Sequence, residues 1–270
     1  MSEEVDIGAL LDRWAVAGAR RWLTAHLARH GPESGTEIAF AGGIAVFAGV
    51  DSPLSKVVGC SEPIQAADLD TLHEFYDAHG SRFEIEVSPL ADPTLIACLE
   101  ARGYEWNMTE VALVRPNEPE EEGASPPDLP EGIDRIERLP EFGGERAARV
   151  LASFGLAPEP PSELLLEVGR TSLSQSGTVG WVAVSGGQDV ACACHAVEDG
   201  GIASLFGAAT SPEFRGRGIQ RAMIEDRVAE IATTTAEWVV LVAGAGTTSE
   251  RNAIRAGFYP VHSWQLWGRP

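Results

Sequence analysis

Basic residues and cysteines are scarce in this chain, and each scarcity closes off a class of function. Lysine and arginine total 20 against 40 acids, a formal charge of −20. A surface so anionic repels nucleic acid and anionic lipid, so neither is expected as a partner. It serves solubility first and favours a cationic partner second. Only four cysteines occur, Cys60, Cys98, Cys192 and Cys194. They sit in apolar runs and read as small buried hydrophobes in a reducing compartment rather than a disulfide framework. The run Cys192-Ala-Cys-His195 looks like a metal motif. The sequence holds no second ligand pair, however, and on a strand His195 points away from both cysteines. No metal is expected. No apolar run is long enough for a membrane span. The acidic start "MSEEVD" lacks the apolar segment of a secretion signal. The expectation is a cytoplasmic protein.

The 270 residues, 44% of them hydrophobic, are enough for two cores. Residues 115–132, "RPNEPEEEGASPPDLPEG", hold five prolines and a cluster of acids. Proline denies backbone donors and the acids resist burial, so 117–131 is predicted to be a linker between domains 1–116 and 132–270.

Periodicity predicts a long first helix over residues 5–30, where Ile7, Leu10, Leu11, Trp14 and Trp22 share a face. Two strands follow over 35–50. A helix, a strand, a helix and a strand then run from 66 to 116. Asp92 is the expected cap and Pro93 the first turn of the second of these helices, and Gly103 closes it. In the second half a strand and two helices precede three strands joined by "SGGQ" and "EDGG" turns. Helix, strand, helix and strand complete the chain. Residues 85–104 and 239–258 share the order strand, helix, glycine, aromatic, strand at equal spacing, which suggests a distant internal repeat. Trp264 and Trp267 in the last strand are expected in a core.

The chemistry concentrates at "SPEFRGRGIQRAM", residues 211–223. It follows a strand and opens a helix, where free amides and the helix dipole favour an anion. Gly216 and Gly218 let phosphate oxygens approach the backbone. Arg215 and Arg217 place positive charge in an acidic chain. Ile219 and Gln220 stand where a nucleotide P-loop needs Lys-Ser/Thr, and the three-glycine dinucleotide fingerprint is missing. The chemistry indicated is pyrophosphate binding.

The segment from Pro212 to Gln220 resembles the acyl-CoA pyrophosphate loop of the GNAT (Gcn5-related) N-acetyltransferases, whose core is Arg/Gln-x-x-Gly-x-Gly/Ala. Arg215 and Gly218 match, and Gln220 departs at the last position. Ser249-Glu-Arg-Asn252 followed by Gly257-Phe258 is similar to the helix and strand flanking the pantetheine arm in that family. The resemblance implies tandem GNAT-like domains, each a mixed α/β (α+β) fold with a mostly antiparallel sheet flanked by helices. It also implies acetyl-CoA as cosubstrate and a primary amine, on a small molecule or a protein, as acceptor. Two neighbouring strands would splay to admit the pantetheine, with Ala208, Ala209 and Thr210 offering backbone groups. Amides of Arg217, Gly218, Ile219 and Gln220 would hold the pyrophosphate, and Ser249 and Asn252 would lie near the thioester end or the pantetheine arm, although Ser249 suits a helix N-cap equally well. The first half has no such loop: its "DSPLSKVVGCSEPIQ" carries one base, Lys56, and implies a degenerate domain that walls the acceptor cleft.

Amine acetylation requires a neutral amine, a donor at the oxyanion and a proton for the departing thiolate. The family's tyrosine for the last role falls at Ala253 here, and Tyr259 is the remaining tyrosine of this half. His195, Glu198, Asp199 and His262 are candidate bases by type, each with a structural role that suits it as well, and no catalytic residue is assigned. Two alternatives stay open: a non-catalytic acyl-CoA-binding regulatory module, and a nucleotide-binding protein without acyl chemistry.

Overall fold

The computed structural model describes residues 6–118, 128–140, 144–152, 163–198 and 200–269. Much of the predicted linker, 119–127, and the candidate base Asp199 lie outside the described residues. The chain divides into two units, Met1–Ala112 with Val261–Pro270, and Leu113–Pro260. It passes from the first unit to the second inside β5 (Glu105–Pro116) and returns inside β11 (Tyr259–Gly268). Grouping by contact thus places the last strand with the first unit.

The first unit opens with α1 (Ile7–His30), capped by Asp6, whose carboxylate accepts from the Ala9 amide at 3.1 Å. It continues through β1 (Thr36–Phe40), β2 (Gly43–Phe47), β3 (Lys56–Val58), α2 (Ala66–Ala78), β4 (Glu84–Val87) and α3 (Pro93–Ala101). Asp92 caps α3 by accepting from the Thr94 amide at 2.9 Å, with Pro93 in its first turn, as the sequence indicates. The sheet runs β1-β2-β3-β4-β11. Its pairs are antiparallel except β3 with β4. β3 falls in a stretch read from sequence as loop. Three residues are too few for a periodic signal, and Val57 and Val58 earn their place by complete burial between neighbouring strands. Val57, Leu69, Leu72, Tyr76, Ile85, Leu95, Leu99 and the late Trp267 form one core cluster.

The second unit contains β6 (Arg135–Arg138), α4 (Gly144–Ala152), α5 (Glu163–Ser174), β7 (Thr178–Ser185), β8 (Gln188–Val197), β9 (Ile202–Thr210), α6 (Ile219–Ile231), β10 (Trp238–Gly244) and α7 (Thr248–Arg255). Its strands lie in the order β10-β9-β8-β7-β6. All are antiparallel except β9 with β10. Side chains alternate between the two faces. Ala183, Ala191 and Ala193 pack with Ile219 and Met223 of α6. Val182, Val184 and Cys192 pack with Ala147 and Val150 of α4. Small alanines on the α6 side let that helix lie close to the sheet.

The two halves of the chain share a plan. In each, a strand pairs in parallel with the strand that follows the next helix, and a second helix and strand follow: β3-α2-β4-α3-β5 and β9-α6-β10-α7-β11. The two segments of equal spacing in the sequence occupy corresponding places, β4-α3-β5 and β10-α7-β11.

Candidate active site

β9 and β10 form the frame of the site. Their parallel register runs from Ile202–Trp238 to Leu205–Leu241 and stops there. Both strands continue, β9 to Thr210 and β10 to Gly244, without further registered pairs. The strands therefore part at their carboxyl ends, which leaves a stretch of β9 with polar backbone on an open side.

A bulge accompanies the parting. Cys192 of β8 faces Ala209, and Cys194 faces Phe206, so Gly207 and Ala208 together oppose Ala193. Gly207 has φ +60°, and a Cβ there would come within 3.2 Å of Cys194 Sγ. Any other residue would be strained at this φ and would press on the Cys194 sulfur. The displaced Gly207 carbonyl accepts from Cys192 Sγ at 3.4 Å. A bulge re-aims the residues after it. Here those are Ala208, Ala209 and Thr210, three of the residues expected at the site.

The glycine-arginine turn follows directly. Its start is hooked to β8 through the Ser211 amide and the Val190 carbonyl, 2.9 Å apart. Pro212–Phe214 forms a single 3-10 turn. Gly216 (φ +79°) and Gly218 (φ +83°) take left-handed backbone conformations, and a Cβ on either would meet no atom within 4 Å. Both glycines are therefore required by conformation, and the space beside them is open. Gly218 is the N-cap of α6 and supplies no side chain to its amides. The amides of Gly216, Arg217, Gly218, Ile219, Gln220 and Arg221 find no acceptor among the described residues. Six consecutive free donors at a helix start, with no acid in the first turn, are the arrangement an anion site requires.

The two arginines brace this turn. Arg215 Nε donates to the Thr210 carbonyl at 3.0 Å, tying the loop to the end of β9. Arg217 Nη2 donates to the Glu213 carbonyl at 3.0 Å, and its guanidinium lies 4.8 Å from the Phe214 ring centroid. Ile219 is buried in the α6 core cluster, so its side chain anchors the helix while its amide stays free.

Gln220, Ser249 and Asn252 are brought together. Gln220 Nε2 donates to Ser249 Oγ at 3.0 Å, and Asn252 Nδ2 donates to Gln220 Oε1 at 2.7 Å. The first turn of α6 is thus tied to α7 beyond the parted strand ends. Ser249 is not the cap of α7. Thr247 has that place, its hydroxyl accepting from the Glu250 amide at 3.3 Å.

The corresponding place in the first unit is wired differently. The Ser61 and Glu62 amides donate to the Ala41 carbonyl at 2.8 and 2.9 Å. At the start of α2 the Asp68 carboxylate accepts from the Gln65 amide at 2.7 Å. Lys56 Nζ donates to the buried Glu86 at 2.7 Å. The amides of Ser61, Glu62, Gln65 and Asp68 are occupied, and Asp68 stands in the first turn of α2, which disfavours an anion.

The candidate bases are scattered. His195 is buried, and its Nδ1 accepts from Trp181 Nε1 at 3.1 Å. Burial, then Arg227 and Arg138, push its pKa down to about 4. Glu198 accepts from Ser204 Oγ at 2.6 Å. His262 belongs to the first unit, where its Nε2 lies 3.0 Å from Asp12. Ala253 is fully buried, and Tyr259 is 44% exposed. All four cysteines are free, and among the described residues no group of three or more His, Cys, Asp or Glu side chains is placed to hold a metal. No described helix is long and apolar enough to cross a membrane.

No family model matches the sequence, and no curated protein matches it. Solved structures do match in fold. A GCN5-related N-acetyltransferase from Kribbella flavida is similar at TM-score 0.64 and 15% identity, covering 95% of each chain. A tandem GNAT protein from the clavulanic acid biosynthesis pathway is similar at TM-score 0.60 and 14% identity, covering 92% of this chain and 93% of that one. A GCN5-related N-acetyltransferase from Sphaerobacter thermophilus is similar at TM-score 0.58 and 18% identity, covering 84% and 81%. The chain has the tandem GNAT fold that its sequence motifs resemble.

Proposed function

We propose that the protein is an acetyl-CoA-dependent N-acetyltransferase whose second unit holds the cosubstrate and transfers its acetyl group to a primary amine. One observation carries this reading: registered pairing of β9 and β10 ends at Leu205–Leu241, and beyond those parted ends lies a turn with six free amides. An extended arm fits between the strands as an added strand, and a pyrophosphate fits the turn. The GNAT fold supports the same assignment.

Each group then has a task. The amides of Gly216 to Arg221 donate hydrogen bonds to the pyrophosphate. The β9 backbone around Ala208, Ala209 and Thr210, on the side turned away from β8, aligns the pantetheine arm, and an amide of that strand can donate to the oxyanion. The amine must arrive uncharged to attack. His195 is already committed to Trp181 and His262 to Asp12, so solvent is the favoured proton acceptor. An acidic chain at −20 favours a cationic amine as acceptor, on a small molecule or an exposed protein side chain.

Binding without transfer is the second reading, and it draws on Ala253, buried at the position where the family places its acid. Calorimetric titration with acetyl-CoA, with ATP and NAD as controls, followed by an amine panel monitored by thiol release, separates the readings. Selective acetyl-CoA binding with turnover is expected. Binding without turnover on any amine favours the regulatory module. ATP or NAD binding instead of acetyl-CoA removes the acyl-transfer assignment.

A further inference from the structure

Four side chains between α6 and α7 form a hydrogen-bond chain with one permitted direction. Arg255 Nη1 donates to Asn252 Oδ1 at 3.2 Å. A guanidinium has no acceptor, so this contact fixes which end of the Asn252 amide faces it. Asn252 must then present Nδ2 to Gln220, which receives it on Oε1 at 2.7 Å. Gln220 is left with Nε2 for Ser249, and donates to Oγ at 3.0 Å. Each amide orientation follows from the one before, starting from a cation that can only donate.

The end of the chain is the informative part. Ser249 Oγ is held as an acceptor, so its own hydrogen is directed away from the network. Aligned donors polarise one another, and a hydroxyl that accepts from such a series becomes a better donor. Ser249 stands in the first turn of α7, the helix that follows β10, and Gln220 in the first turn of α6, the helix that follows β9. The bridge therefore spans the two strands just past the point where they part. Glycine or alanine is what the family pattern puts at the position of Gln220. Here a long side chain with both a donor and an acceptor stands there.

We infer that Gln220 is a positioning residue: it orients the Ser249 hydroxyl as a hydrogen-bond donor toward a carbonyl of the acyl-pantetheine arm lying between β9 and β10. The inference rests on the acyl-CoA reading of the site. Gln220 acts through Ser249, so removing either residue removes the same contact. A role as a mere strut tying α6 to α7 would also disturb the turn at the start of α6 and weaken binding of the nucleotide half to the same extent.

A double-mutant cycle on the full chain tests this, with acetyl-CoA and with the nucleotide half of coenzyme A (phosphorylated ADP without the pantetheine arm) as probes in calorimetry. Gln220→Met and Ser249→Ala are each expected to weaken acetyl-CoA binding about fivefold to tenfold, one lost hydrogen bond. The double variant is expected to be no weaker than the worse single one. Binding of the nucleotide half is expected to stay unchanged throughout. Multiplying effects, an unaltered Gln220→Met variant, or equal loss for the nucleotide half would each overturn the inference. If Gln220→Met does not fold, Gln220→Glu serves in its place. It keeps the length and the bond from Asn252 but turns the Ser249 hydrogen inward. Its loss of acetyl-CoA affinity should shrink in the Ser249→Ala background, whereas simple charge repulsion would persist there. A wild-type protein that binds no acetyl-CoA removes the acyl-CoA reading and this inference together. Wild-type binding with unaltered variants removes the inference alone.

Discussion

Trp264 Nε1 donates to Asp12 Oδ1 at 2.7 Å, which joins residues 252 apart within the first unit. The same carboxylate receives Ser88 Oγ at 2.6 Å and meets His262 Nε2 at 3.0 Å. Burial alone would raise the Asp12 pKa, but these hydrogen bonds, led by that of His262, outweigh it and hold the pKa below the usual value. The strand that closes the second strand-helix-strand repeat thereby completes the first unit, through Asp12 and through Trp267 in its core.

Removing residues 261–270 should therefore unfold the first unit, although these residues come last in the sequence. Asp12→Ala should destabilise by about 2 kcal/mol, because it removes the acceptor of the buried Trp264 and Ser88 donors. Chemical denaturation of both variants checks this. A truncated chain with unchanged first-unit stability would contradict the role assigned to β11. Halves expressed separately are correspondingly a poor test of cofactor binding.

Cofactor stoichiometry on the whole chain is the better test. One acetyl-CoA per chain is expected, since Ala41 and Asp68 occupy donors in the segment leading into α2 and Asp68 puts a carboxylate in its first turn, while the start of α6 has free amides and no acid. Calorimetry giving two equivalents would show that the first unit also binds.

Gly218→Ala should cost about 1 kcal/mol, because a Cβ has room there but φ is +83°. Gly218→Glu should have a similar effect on folding and abolish acetyl-CoA binding, since it adds negative charge beside the free amides. Thermal melts and calorimetry on both variants separate strain from repulsion. Wild-type affinity in Gly218→Glu would mean that the turn is no pyrophosphate site.

His195 gives a pH signature of its own. With its folded pKa depressed to about 4, the unfolded chain binds the extra proton between about pH 6.5 and pH 4. Stability should thus fall as the pH drops through that window, by up to about 3 kcal/mol from this group. His195→Gln retains an acceptor for Trp181 and should flatten the slope. Denaturant midpoints measured from pH 7 to pH 4 read it directly, and an NMR titration should find the wild-type ring neutral above pH 5.

Much of the site was legible because its signals are local. Gly216 and Gly218 advertise left-handed backbone, Pro212 a turn, and the following apolar Ile219 a helix start, all within a few residues. Asp92 and Pro93 mark α3 in the same way. Other features left little local trace. β3 is three residues long, and its valines become a strand only between β2 and β4. The bulge at Gly207 depends on Cys194 of the neighbouring strand.

The sequence by itself determined the order of every element but the short β3, the left-handed glycine turn at the start of α6 and the net negative charge, since these depend on backbone preference, helix-start chemistry and charge count. Only the tertiary structure decided where registered pairing of β9 and β10 ends, and that Gln220 meets Ser249 and Asn252 some thirty residues on. It also decided that β11 pairs with β4. Those outcomes rest on contacts between distant segments, and side-chain type at one position does not say which distant group will meet it.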